Sequence, residues 1–179
     1  MNLKDSIRNQ IKNKRNNMSA ELVQKLSLKV INNLKSVNAV FKNNKFLVYN
    51  SFKNEVETNE LIKHLESLNK VIAYPIIRNG ELLAGKVVGS EFIDGEYGIR
   101  EPKSYDIVNN IEVVIVPLVA CDENKNRIGF GKGYYDKYLQ NKSLLKVGLS
   151  YDFQVVKTIQ SSKFDIPLDI IITESRVIK

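Results

Sequence analysis

Tryptophan is absent from this 179-residue sequence, and cysteine and histidine occur once each, as Cys121 and His64. A single cysteine excludes an internal disulfide, so packing alone must hold the fold. Within an apolar run, Cys121 is expected to be a buried, inert thiol, which suits a reducing cytoplasm. The lone histidine falls at the edge of an apolar helical stripe and reads as a bystander. Catalysis by a His base and a His-rich metal centre are therefore not expected. No apolar run approaches the roughly 18 residues of a membrane span, and the polar, charged first 15 residues do not resemble a secretory signal. Internal repeats, low-complexity tails and linkers are also missing.

What remains is a composition of 43% hydrophobic and 26% charged residues, that of a soluble globular chain long enough for a sizeable core. One domain spanning residues 1–179 is expected. The formal charge of +7 favours anionic partners without choosing among nucleic acid, phosphorylated metabolites and polycarboxylates.

One stretch stands out, Asn126-Arg127-Ile128-Gly129-Phe130-Gly131-Lys132-Gly133-Tyr134-Tyr135-Asp136. Glycines at alternate positions let backbone N–H groups face a ligand without Cβ obstruction. Leading into a helix over Tyr134–Leu139, they favour a bound anion, above all a phosphate. Arg127 and Lys132 add charge, and Asp136 offers oxygens to a cation such as Mg²⁺. A tight strand-to-helix connection is the competing reading. A P-loop is excluded because Asn126 and Gly133 stand where Gly and Ser or Thr are required, and a dinucleotide fingerprint because Gly129 lies well beyond the strand end at Pro117.

Along the chain, Leu3, Ile7 and Ile11 mark one stripe of a helix ending near Asn17. Lys4, Arg8 and Arg15 share a face beside it, either a solvated basic face or a phosphate-binding one. Ser19 is a candidate N-cap for a second helix buried through Leu22, Leu26, Val30 and Leu34. Lys45–Tyr49, a third helix with Leu61, Ile62, Leu65 and Leu68 inward, and Val71–Ile77 form a βαβ unit, hence a parallel sheet. The loop after its first strand carries Glu55 and Glu57, at the strand end where such sheets bind ligands. Asn79-Gly80 predicts a hairpin, Gly95–Pro102 a loop with Tyr97, Arg100 and Glu101, and Val113–Val119 a central strand. Strands at Leu145–Ser150 and, terminally, Leu168–Thr173 flank a loop whose Asp165 is either a metal ligand or an ordinary loop aspartate.

Taken in order, Lys4 and Arg8, Glu55-Val56-Glu57-Thr58, Gly98-Ile99-Arg100-Glu101-Pro102, Arg127 to Asp136, and Asp165 with Leu168 to Glu174 resemble the 5-formyltetrahydrofolate cyclo-ligase (methenyltetrahydrofolate synthetase) family. The resemblance implies an α/β three-layer sandwich with a mostly parallel sheet, similar to the sugar-phosphate isomerase and CoA-transferase-like fold. It implies ATP- and Mg²⁺-dependent closure of 5-formyltetrahydrofolate, with or without a polyglutamate tail, to 5,10-methenyltetrahydrofolate by a monomeric cytoplasmic enzyme with no nucleic-acid or membrane partner. By position, Lys4, Arg8 and the run Arg127, Ile128, Gly129, Phe130, Gly131, Lys132, Gly133, Tyr134 and Tyr135 would hold ATP. Phe52, Glu57 and Gly131 to Tyr135 would border the folate, Lys132 would stabilise the transferring phosphoryl group, and Asp136 and Asp165 would bind the metal. The chain departs from the family at Ala120-Cys121, where Gly-Phe is common, at Lys137 for Arg, and at Phe164 for His. An isomerase or transferase of similar fold is the alternative enzyme class, and a basic nucleic-acid-binding module the non-enzymatic one.

Overall fold

A computed structural model describes residues 2–95 and 98–179; Tyr97, named above in the 95–102 segment, lies outside them. Helix α1 runs Leu3–Asn16, capped by Asn2, whose side chain accepts from the Lys4 amide. Helix α2 runs Ala20–Lys35, and Ser19 Oγ accepts from the Leu22 amide at 3.2 Å, as its position before the apolar stripe requires. A short helix α3 (Asn38–Phe41) leads to strand β1 (Lys45–Leu47), helix α4 (Asn59–Ser67) and strand β2 (Val71–Arg78). Strands β1 and β2 pair in parallel, closing the expected βαβ unit. Asn79 and Gly80, both with left-handed φ, turn β2 into the antiparallel β3 (Glu81–Val87).

The remaining strands are β4 (Phe92–Asp94), β5 (Arg100–Pro102), β6 (Tyr105–Ile107), β7 (Val113–Val116), β8 (Ala120–Cys121), β9 (Arg127–Ile128), β10 (Leu145–Leu149), β11 (Ile170–Ile172) and β12 (Val177–Ile178), with α5 (Tyr134–Leu139) between β9 and β10. Eight of the twelve form one sheet in the order β12-β11-β10-β7-β1-β2-β3-β6. Its five central members, β11 to β2, are parallel, and β7 lies among them with every residue buried.

Alternation along the strands divides the core into two layers. Phe46, Val113, Ile115 and Val147 face α2 and α4, which supply Val30, Ile31, Leu34, Leu61 and Leu65. Leu47, Val114 and Val116 face the opposite way, toward Leu139 and the tyrosines of α5. A period-2 strand must place successive side chains on opposite faces, so a sheet buried on both sides needs the continuous apolar run that β7 displays.

Several local expectations shift. Leu3, Leu22 and Leu68 are exposed, whereas Val23 and Ile31 are buried. Stripes read strictly every four residues drift by about 40° per step around a helix with 3.6 residues per turn, so Leu3 and Leu22, the first members of theirs, leave the core face, while Leu68 lies past the end of α4. Arg100–Pro102 is a strand paired with β4 rather than loop; buried Glu101 anchors it through an ion pair with Arg78 of β2 at 2.7 Å. Ile170–Ile172 is not the last strand, because β12 returns antiparallel along it. Cys121 is buried, and burial, the largest influence on it, pushes its thiol up to about 12.

Gly148, in the middle of β10, offers a test of packing between sheet and loop. A Cβ added there would lie 2.5 Å from Leu168 Cδ1 and 2.9 Å from Leu118 Cδ2. Gly148→Ala is expected to cost about 1–3 kcal/mol, read as a lower urea midpoint at unchanged slope; an unaltered midpoint would show that both leucines yield freely.

Candidate active site

The glycine run does not follow the central strand directly. After Pro117 the chain first makes the β8–β9 hairpin, too short to show a period in sequence. Buried Asp122 closes it: Oδ1 accepts from the Asn126 amide at 2.9 Å, and Oδ2 accepts from Asn126 Nδ2 at 3.0 Å and the Ile159 amide at 2.8 Å. The hairpin sets Arg127 at its inner end. That guanidinium is buried, pairing through Nη2 with Asp136 Oδ1 at 2.7 Å and donating through Nη1 to the Ile166 carbonyl. Asp136 Oδ1 also accepts from the Ile166 amide at 3.0 Å. Arg127 thus ties the start of the glycine run, the first turn of α5 and the loop bearing Asp165 into one unit.

Helix α1 lies against that unit. Arg8 Nε donates to the Gly129 carbonyl at 2.9 Å, and its Nη1 pairs with Asp5. Lys4 Nζ reaches Asp165 Oδ2 at 2.6 Å, and the same oxygen accepts from the Ser162 amide at 2.7 Å. Burial pushes the Asp165 carboxyl up, but the bonds from Lys4 and Ser162 outweigh it and hold the group below its ordinary value. Gly131 and Gly133 take φ of 99° and 73°, a region that L side chains rarely adopt. At Gly131 space is not the constraint, since a Cβ would meet Arg8 Nη2 at an ordinary 3.6 Å.

Together these parts wall a cleft of about 650 Å³ whose rim includes Tyr49 and Asn50 beyond β1 and Pro117 beyond β7, the carboxyl ends of parallel strands. Lys4, Arg8, Phe52, every residue from Arg127 to Asp136, and Asp165 all line it. Positions separated by up to 161 residues are thereby brought together. Glu57 is not among the lining residues; its amide donates to Ser27 Oγ of α2 at 2.9 Å.

Glu55, two positions earlier, lines the cleft instead and is buried. Its Oε2 accepts from the Phe52 amide at 3.0 Å. Burial dominates its titration and raises the carboxyl to about 7, against the opposing pull of Arg15 and the Phe52 amide. Arg15 is not part of a solvated basic face: it is 1% exposed and lines the same cleft. Its Nε and the Tyr135 hydroxyl are the only buried side-chain polar atoms without a hydrogen-bond partner among the described residues. Burial, then the charge of Glu55, pushes the Tyr135 phenol far up, so it stays protonated and able to donate. Buried donors left unpaired are costly, and two of them in one cleft mark where a polar ligand completes the bonding. The signal for Glu55 and Arg15 in the sequence was a charged residue four or fewer places from buried apolar ones, which many solvated residues share.

As for a metal, Asp136 and Asp165 flank Ile166 at the cleft wall, and no cluster of three or more His, Cys, Asp or Glu side chains exists among the described residues. Two carboxylates would hold Mg²⁺ only as partial ligands; they do not make an all-protein cage.

A mostly parallel α/β sheet with a basic, carboxylate-edged cleft at its strand ends has the architecture of an enzyme for a small anionic ligand. The profile of the 5-formyltetrahydrofolate cyclo-ligase family matches residues 1–174, and the chain belongs to that family. It is 30% identical to the 5-formyltetrahydrofolate cyclo-ligase of Escherichia coli K12, with 93% of this chain and 98% of that protein covered. The Mycoplasma pneumoniae protein of the same name is 31% identical, with 96% and 98% covered. Among solved structures, the 5,10-methenyltetrahydrofolate synthetase of Aquifex aeolicus superposes with a TM-score of 0.87 at 36% identity, covering 98% of this chain and 92% of that one.

Glu55 gives the site a pH signature. A carboxyl whose folded value lies above its ordinary 4.5 stabilises the fold only while protonated. Stability should therefore fall as pH rises from about 4.5 to about 7, by up to about 3 kcal/mol. Glu55→Gln should remove that slope and be the more stable protein at pH 8; parallel urea curves for the two proteins at pH 5 and 8 would refute it.

Proposed function

We propose that this cleft, within a single catalytic domain spanning the chain, closes 5-formyltetrahydrofolate to 5,10-methenyltetrahydrofolate at the expense of ATP. The observation that carries this reading is the meeting of the α1 cations, the glycine run and two carboxylates around a cleft whose floor holds a buried Glu55. The γ-phosphoryl group passes to the formyl oxygen, breaking its bond to the β-phosphate and releasing ADP. N10 of the folate then attacks the activated formyl carbon and gives up its proton to solvent or to the departing phosphate, the phosphorylated oxygen leaves as phosphate, and the ring closes as a methenyl bridge. No protein nucleophile or histidine base is required, because phosphoryl transfer depends mainly on positioning and charge neutralisation.

Each part of the site has a matching task. Lys4 and Arg8 lie on one face of α1 at the cleft wall, where their positive charges meet a triphosphate. Backbone amides of the Gly129–Gly133 segment offer further donors to phosphate oxygens. Lys132, exposed at the tip of that segment, is our choice for stabilising charge on the group in flight. Glu55 replaces Glu57 as the acceptor for the pterin, since only Glu55 borders the cleft. The ring's N–H donors would satisfy its carboxylate, while Arg15 Nε and the Tyr135 hydroxyl meet the ring's acceptors. Mg²⁺, held by Asp136 and Asp165, would supply charge neutralisation for the phosphates.

Absorbance of the methenyl product should appear only when 5-formyltetrahydrofolate, ATP and Mg²⁺ are all present. Product formed without ATP, or none from folded protein that binds both substrates, would refute the proposal. Lys132→Ala should lower kcat about 10²–10³-fold with folate affinity retained; a change confined to the KM for ATP would reduce Lys132 to a binding residue.

A further inference from the structure

The cleft is graded from floor to mouth. Glu55, Arg15 and the Tyr135 hydroxyl are buried, Phe52 is half-buried, Phe130 is 39% exposed, and Lys53 stands in solvent. Lys12 Nζ sits over the Phe130 ring at 4.8 Å from its centroid, and Lys53 Nζ over the Phe52 ring at 4.9 Å. Both lysines line the cleft. Lys4 pairs with Asp165 and Arg8 with Asp5, but among the described residues neither Lys12 nor Lys53 forms an ion pair.

The backbone holds this pair of cations in place. Lys53 and Asn54 both take left-handed φ, 47° and 58°, a region that Asn visits readily but that is uncommon for Lys. The Asn54 side chain fastens this turn to α1, with Nδ2 donating to the carbonyls of Arg15 at 2.9 Å and Met18 at 3.1 Å. That clamp brings Lys53 toward Lys12. Lys12 feels it: burial, then the charges of Arg8, Arg15 and Lys53, lower its affinity for a proton. Crowded cations without an acid are a cost that an anionic ligand offsets.

We propose that Lys12 and Lys53 form a carboxylate-binding subsite at the cleft mouth that takes the glutamate end of the folate substrate, with Phe52 and Phe130 flanking its aminobenzoyl ring. The inference rests on the cyclo-ligase reading. A folate is a polar bicycle, then an aromatic ring, then a dicarboxylate, and the cleft presents a polar floor, an aromatic collar and a cationic rim in the same order. The phosphates of ATP already have Lys4, Arg8 and the glycine amides, on the side of the cleft bearing Asp165.

Calorimetric titration decides it. Wild-type protein, the Lys53→Ala variant and the Lys12→Ala/Lys53→Ala double variant would each be titrated with 5-formyltetrahydrofolate, 5-formyltetrahydropteroate, which lacks the glutamate, and ATP. At low salt the double variant should bind 5-formyltetrahydrofolate about tenfold more weakly, with a smaller loss for the single variant and a gap that narrows as salt rises. Affinity for the pteroate and for ATP should not move. Weakened ATP binding would assign the lysines to phosphate, and unchanged folate binding would show that the tail lies free in solvent; either result overturns the subsite. Because binding is read without turnover, a wild-type protein that binds folate but forms no methenyl product would refute the ligase reading and leave the lysine result standing.

Discussion

A buried guanidinium joins three separate segments around the cleft. Arg127 bonds Asp136 at the first turn of α5 and the Ile166 carbonyl, while Asp136 returns a bond to the Ile166 amide. Removing one member of such a pair leaves an uncompensated charge in the interior, typically a loss of 3–5 kcal/mol. The spacing between Arg127 and Asp136 is also what obliges the glycine run between them to fold as a compact loop. Lys4 and Arg8 then have a surface to grip, through Asp165 and the Gly129 carbonyl. Remove the guanidinium, and the proposed phosphate, metal and folate contacts all lose their common support.

Asp136 is therefore asked to do two things. One oxygen is committed to Arg127 and Ile166, and the same carboxylate is the proposed metal ligand. Asp165 is similar, balanced by Lys4 and the Ser162 amide. Carboxylates already neutralised by cations bind a divalent ion weakly on their own, so the proposed metal would have to arrive with the proposed nucleotide. The floor follows another logic. Arg15 Nε and the Tyr135 hydroxyl are buried without partners beside the buried Glu55, the kind of deficit a protein retains where a ligand removes it.

Much of the framework was legible because its causes are local. Ser19 caps α2, Asn79-Gly80 turns a hairpin, and the β1–α4–β2 unit is parallel, each the outcome of preferences acting over a few residues. What escaped was short or cooperative. The two-residue strands β8 and β9 have no period to read, and β5 exists because Glu101 finds Arg78 in a distant strand. Helical stripes read every four residues were displaced at one end, since the helix repeats at 3.6. In the site, only the glycine run is legible by its pattern; Lys4, Arg8 and Asp165 stand above an ordinary reading only through the family resemblance, and the same resemblance points to Glu57 where the cleft is lined by Glu55. Both lie in the same loop, and spacing alone does not reveal which faces the cleft.

The sequence by itself determined the α/β class, the parallel unit and the segment that lines the proposed anion-binding half of the cleft, because periodicity, caps and glycine placement are written in neighbouring residues. Only the tertiary structure decided which charges are buried. Arg15 and Lys12 occupy one helix, three residues apart, and Glu55 and Glu57 one loop, two residues apart. Their fates differ because burial depends on what the sheet and the distant loops place against them, and that is a property of the packed chain rather than of any stretch within it.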